Sequence, residues 1–416
     1  MGSDADIVGG IIGFIGSVVN NINKNNTVKK IHAANNENQN IIYYEPSDIE
    51  AFFIDPEPFS HVLFSGGEEN LRLRAAYRVA EIAHHQGFSI VLLHNSNHLM
   101  ESFFQSKLPK NQLRIINQNN KIYDPFVNLN NTEICDLILS TAPDSINFKT
   151  NAKYYIDGLC DYLRKNGVAP YSEKLIKCPH DQLLDLANDK IKNPADATKI
   201  VSKIMSGESE RANIEAYLNE FQKQSSQILA SKQNLAQATN IKQAIQHNQF
   251  IMVDVVTNNN HLLINLLSQE INNLITNKQK ILLILDEVSI NNCKVLNKLI
   301  ESNDTNLNIF ISSKDVFASI FHSDEKSFSS FLGKTSKLIV SQHASSLSCN
   351  KWSEAFGNYD RIDISTTAGA HPSGNSFTTT QKNERRVKPE DINRLSNKDV
   401  IIMSQSNSFL QRTTIR

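Results

Sequence analysis

The sequence predicts an α/β fold: a mainly parallel, doubly wound sheet interrupted by an all-helical block. Three observations predict it. Apolar strand-like runs alternate with helical periodicity over residues 55–130 and again over 248–416, the pattern of a parallel sheet covered by helices. Between 131 and 247 that alternation stops and helical spacing takes over. The run Ile281 to Glu287 reads ILLILDE, five aliphatic residues ending in Asp286 and Glu287. A strand buried on both faces needs such an unbroken run, and its C-terminal end is where open α/β sheets place ligands.

The 416 residues suffice for two or three domains, and 40% hydrophobic content marks a globular chain. With 42 basic and 43 acidic residues the net charge is -1. This excludes a global positive field drawing the chain onto nucleic acid. Asn is common, about one residue in eight, and clusters in short loops between periodic segments. The five cysteines, Cys135, Cys160, Cys178, Cys293 and Cys349, are scattered and form no CxxC pair. A reducing compartment without structural zinc fits that usage.

Residues 1–54 read as an N-terminal arm. Ile7 to Val19 is uncharged and carries Gly9, Gly10, Gly13 and Gly16. It is shorter than the ~20 residues a spanning helix needs and lacks signal-peptide features. It reads as a membrane-proximal remnant, a helix-packing stretch or a flexible arm. Asn20 to Asn40 reads as a solvated loop with a basic Lys29–Lys30–Ile31–His32 patch.

Within 55–130, His61 to Phe64 is a strand that breaks at Gly66–Gly67. Helical spacing follows from Glu68 to His84, with Leu71, Ala75, Val79 and Ile82 on one side. Strand, glycine turn and helix form the setting of a phosphate loop, G-x-x-x-x-G-K-S/T. Counting from Gly66, Leu71 stands for the second glycine, Arg72 for the lysine and Leu73 for the Mg²⁺-binding hydroxyl. Glu68 and Glu69 add like charge where phosphates would lie. The residues therefore argue against ordinary triphosphate binding. Ser89 to Leu93 is a strand, Asn97 to Phe104 a helix, and Leu113–Ile116 with Lys121–Tyr123 a strand pair or edge.

The block 131–247 carries helices around Ile134–Leu139, Asn151–Arg164, Leu183–Ala187, Ala197–Met205, Glu208–Ser231 and Ile241–His247. Ser206 is placed to cap the Glu208 helix, with Glu208 and Glu210 at its positive end. Such insertions serve as covers over the sheet or as partner-binding surfaces.

In 248–416 the strands are Phe250–Val256, Ile281–Asp286, Leu307–Ile311, Lys337–Val340 and, last, Val400–Met403. Leu262 to Ile275 is an amphipathic helix, and Pro389 opens a short one. Thr366 to Thr380, rich in Gly, Ser and Thr, reads as a surface hairpin or loop. In nucleoside-triphosphatases a strand like Ile281–Glu287 offers Asp to Mg²⁺ and Glu to the attacking water. The same residues also describe a core strand followed by an acidic cap, and both readings stay open. His84, His85, His94 and His98 fall close together. His94 and His98 straddle a strand end and a helix start, so they read as surface or cap histidines and not as a metal face.

Several phrases, in this order, resemble the type IV coupling proteins of conjugation and type IV secretion, within the RecA/FtsK-like P-loop superfamily. They are HVLFSGG at 61–67, YDPF at 123–126, FIMVDVV at 250–256, LLILDE at 282–287, NIFISSKD at 308–315, WSEAFGNYD at 352–360 and RRVKPEDINRLSNKDVIIM at 385–403. The resemblance covers about residues 55–410 and implies a RecA-like P-loop NTPase sheet with an inserted all-helical domain. It implies hexameric ATPases of the cytoplasm or its inner-membrane face, handing DNA, relaxase–DNA or effector substrates to the secretion machinery. Self-assembly or assembly with related subunits, and peripheral membrane association, go with it. By position, Asp286 takes Mg²⁺, Glu287 activates water, Gly66, Gly67 and Arg72 stand in the phosphate loop, and Lys314 lies near a sensor position. ATP with Mg²⁺ is the implied cofactor, and the loop departures favour no cofactor. Three functions follow: a docking subunit with lost or weak ATPase activity, a divergent active ATPase driving transfer, and a nucleic-acid-binding module without NTPase activity.

Overall fold

The computed structural model describes residues 29–53, 61–247, 250–255, 260–367, 376–404 and 410–416. The chain divides into two compact units, Asp48–Ser336 and a smaller one made of Met1–Ser47 with Lys337–Arg416. Helix α1 (29–39) and strand β1 (Ile41–Tyr43) open the smaller unit. Residues 29–39 thus turn the end of the stretch read as a loop into helix, while Ile7 to Val19 lies outside the described residues.

The larger unit starts with β2 (His61–Ser65), α2 (Glu69–His85), β3 (Ser89–His94), α3 (His98–Lys107) and β4 (Leu113–Ile116). A helical run follows: α4 (Asn131–Thr141), α5 (Ala152–Lys165), α6 (Ser172–Ile176), α7 (Leu183–Lys190), α8 (Pro194–Gly207), α9 (Arg211–Ser225) and α10 (Ile241–Gln246). Strand and helix alternate again through β5 (Phe250–Asp254), α11 (His261–Thr276), β6 (Ile281–Asp286), α12 (Lys294–Glu301), β7 (Leu307–Ser313) and α13 (Glu325–Leu332).

The strands of this unit lie in the order β2-β7-β6-β3-β5-β4, and each adjacent pair is parallel. The expected α/β class with a mainly parallel sheet is what the chain adopts. β6 sits inside the row and all six of its residues are buried, which is why its sequence is aliphatic without alternation. The register brings the strand ends together: Ser65 opposite Ser313, Asp286 opposite Ser312 and His94, and His94 opposite Asp254. A row of buried polar side chains therefore lines the C-terminal edge of an otherwise apolar sheet.

The helical run has its own core of Ile134, Tyr155, Leu159, Ile204, Tyr217 and Phe221, joined by Leu262 and Leu266 of α11. Asn130 and Glu133 close a capping box on α4. Ser206 caps no helix. α8 continues through it to Gly207, a 3-10 turn covers Glu208–Glu210, and α9 ends at Ser225. Gly207 permits this course: a Cβ there would collide with the backbone N of Tyr155 on α5. Lys121–Tyr123 forms no strand pair. Tyr123 makes only isolated bridges, to Leu229 and Thr239, and its hydroxyl donates to Glu270 Oε1 at 2.6 Å.

From Lys337 the smaller unit continues with the rest of β8 (Thr335–Val340), then α14 (Ser346–Phe356), β9 (Asn358–Thr367), β10 (Ser376–Arg385), α15 (Pro389–Asn393), β11 (Asp399–Ser404) and β12 (Leu410–Thr414). β1 runs parallel to β12, which pairs antiparallel with β11, itself antiparallel to β8. The Val400–Met403 strand is thus followed by one more. β9 and β10 form a hairpin pairing Asn358 with Arg385, and part of the Thr366 to Thr380 stretch falls outside the described residues. Among the described residues no helix is long and apolar enough to cross a membrane.

Candidate functional site

The turn after β2 is short. Ser65 ends the strand, Glu69 begins α2, and only Gly66, Gly67 and Glu68 lie between. Gly66 and Gly67 take φ of 86° and 74°, a left-handed conformation that glycine adopts without a Cβ clash. Glu68 caps α2 without a side-chain hydrogen bond. Leu71 and Leu73 are both buried within α2, so the position counted as the second glycine is already helix.

Arg72 is buried one turn into α2, and helical side chains lean towards the N-terminus. Its Nη1 donates to Gly67 O at 2.9 Å and to Gly66 O at 3.4 Å. Its Nη2 donates to Glu287 Oε1 at 3.2 Å. The guanidinium thereby ties the loop to the residue just past β6. Glu287 sits at φ 55°, a strained choice for a residue with a Cβ, and is held there from several sides. Its N–H donates to Ser312 O at 3.0 Å. Its Oε2 accepts from Ser313 Oγ at 2.7 Å, and Oε1 accepts from Lys314 N–H at 2.7 Å.

Asp286 is 1% exposed. Its Oδ1 accepts from Ser312 Oγ at 2.6 Å and its Oδ2 from Asn97 Nδ2 at 2.8 Å. Burial raises its carboxyl above the ordinary range, with the bonds from Ser312 and Asn97 and the charge of Arg72 opposing. Asn97 also caps α3, accepting from Met100 N–H at 2.9 Å. The site therefore couples two carboxylates to a buried guanidinium, two hydroxyls and one amide.

The residues picked from sequence, Gly66, Gly67, Arg72, Asp286 and Glu287, come together in this network. Lys314 enters through its backbone. Asn97, Ser312 and Ser313 were not foreseen. The one available signal was the Ser312–Ser313 pair, placed like Asp286–Glu287 just after an apolar run. His94 is a buried residue and not a surface one: its Nδ1 accepts from Asn97 N–H at 3.2 Å, while His98 is more than half exposed.

No protein-family model matches the chain, and no curated protein matches it. Solved structures do. The unbound monoclinic form of the bacterial conjugative coupling protein TrwBΔN70 is similar at a TM-score of 0.54 and 12% identity, over 88% of this chain and 90% of that one. The plasmid coupling protein TrwB in complex with ADP and Mg²⁺ is similar at 0.53 and 12%, over 91% and 90%. TrwB with a non-hydrolysable ATP analogue gives the same score, identity and coverage. The chain thus has the RecA-like P-loop NTPase fold of TrwB. At 12% identity the likeness speaks for fold alone.

Proposed function

We propose that the chain is a coupling-protein-like component of a conjugation or type IV secretion system that docks substrates or partner subunits and does not turn over ATP. The observation that carries the second half is the seating of Arg72. A phosphate loop turns backbone N–H groups inward and brings a lysine ammonium to the phosphates. Here the loop offers two carbonyl oxygens to its own arginine, whose remaining charge is met by Glu287. A phosphate would have to take Arg72 from those three acceptors, without a hydroxyl at Leu73 to share Mg²⁺. Three connecting residues are also too few to wrap a triphosphate. On this reading the residues do not fit ATP with Mg²⁺, and Glu287 is a structural acceptor.

The first half of the proposal draws on the fold shared with TrwB, whose solved complexes hold ADP and Mg²⁺. The partners it suggests are secretion or conjugation proteins, further copies or related subunits, and a DNA or relaxase–DNA cargo. The helices of 131–247, with a core of their own, supply the docking surface. The competing reading is an active divergent ATPase, favoured by Asp286 and Glu287 standing at the C-terminal end of β6. An ATPase assay at concentrations that permit ring assembly, with wild type and Glu287→Gln, separates the two. The expected result is no Mg²⁺-dependent turnover by either. Turnover lost in the glutamine variant would overturn the proposal.

A further inference from the structure

His94, Glu101 and Asp254 come from three elements. His94 ends β3, Asp254 ends the neighbouring β5 in register with it, and Glu101 lies in the first turn of α3. One ligand atom from each falls within 4.8 Å of the other two, and the three residues are 0%, 7% and 2% exposed. The Nε2 of His94 is buried and makes no well-formed hydrogen bond; its facing partner is Glu101 Oε1, at an ion-pair distance of 3.3 Å. We propose that these three residues form a site for one divalent first-row cation of the zinc or manganese kind, beside Asp286 and separate from it.

Ligand chemistry narrows the cation. One imidazole with two carboxylates suits zinc or manganese; an all-oxygen set would suit magnesium or calcium, and thiolates would suit softer ions. The carboxylates are aimed by outer partners, as metal ligands are. Both oxygens of Glu101 accept from Asn117 Nδ2, at 3.0 and 2.9 Å. Asp254 Oδ1 accepts from Ser96 N–H at 2.9 Å, and Ser96 is held at φ 51°. Bonds to zinc of about 2.0–2.2 Å require the ligand atoms to close inward from their present spacing.

Loading has a specific consequence. The Asn97 N–H now points at His94 Nδ1, which places the proton of the neutral ring on Nε2. A cation on Nε2 moves that proton to Nδ1 and ends the bond from Asn97. Because Asn97 Nδ2 also holds Asp286, the change reaches the candidate site.

The test uses the full chain, stripped with a chelator and titrated with zinc chloride or manganese chloride against a fluorescent chelator, beside Glu101→Gln and Asp254→Asn. The expected result is saturable uptake of one equivalent, weakened at least tenfold in each variant. Long-range ¹H–¹⁵N spectra should show one buried histidine passing from the Nε2–H to the Nδ1–H tautomer as metal is added. No saturable uptake, or uptake equal in both variants through surface histidines, overturns the proposal. Should a variant fail to fold by circular dichroism, the wild-type tautomer signal decides, and its absence on loading overturns the proposal as well.

Discussion

Replacing Arg72 with methionine keeps most of the aliphatic packing in α2 and removes only the guanidinium. Three donated hydrogen bonds go with it, at 2.9 and 3.4 Å to the loop carbonyls and 3.2 Å to Glu287. A bond involving a charged group contributes about 1.5–3 kcal/mol. The 3.4 Å contact is at the distance limit and adds little. The Glu287 side chain is 31% exposed and keeps Ser313 and Lys314 N–H, so its loss is screened and lies at the low end. Arg72 Nε is buried without a hydrogen bond, and removing it returns part of the loss. The balance is a destabilisation of about 2 kcal/mol. Urea unfolding followed by far-UV circular dichroism measures it in the right place, since the single tryptophan, Trp352, belongs to the smaller unit. The double variant with Glu287→Gln should lose less than the sum of the singles, because the two share one bond. A methionine variant as stable as wild type, or more so, would refute the reasoning. That outcome is the signature of a charge held ready for a phosphate.

Gly207→Ala should destabilise the larger unit by about 1–3 kcal/mol, read as a fall in urea midpoint, because the new Cβ meets the α5 backbone at Tyr155 and cannot move aside. Gly67→Ala should cost about 1–2 kcal/mol through its φ of 74°, measured in the same way. Burial pushes the carboxyl of Glu270 from 4.5 up to about 8, against hydrogen bonds from Tyr123 and Ile241 N–H. Between those values the folded state holds a proton that the unfolded chain has released, so stability falls as pH rises through the window. Asp124, raised by burial to about 6, adds to the lower part of the slope. Glu270→Gln should therefore flatten the fall between about pH 6 and 8 in unfolding midpoints taken across that range.

The parts of this molecule legible in the sequence are those whose physics is local. β6 declares itself because a strand covered on both faces has no position for a polar side chain before its end. The turn at Gly66–Gly67 is legible because its backbone needs φ > 0. What stayed hidden depends on register and on packing between distant segments. Asn97 meets Asp286 across 189 positions, a meeting set by the pairing of β3 with β6. Asp254 reaches His94 only because β5 lies beside β3. Ser206 has the chemistry of a cap but lies inside α8, whose last residue, Gly207, packs closely against α5. Lys121–Tyr123 alternates like a strand, yet the Tyr123 hydroxyl is buried against Glu270.

The same distinction governs how the Asp286–Glu287 pair should be weighed. In the sequence two carboxylates after an apolar strand point to metal and water. In the fold, Glu287 accepts from a guanidinium, a hydroxyl and a backbone N–H while its own backbone is held at φ 55°. A residue with that many structural partners is explained without catalysis. Its presence therefore gives no separate weight to an active site, and the ATPase assay of wild type beside Glu287→Gln separates the two readings.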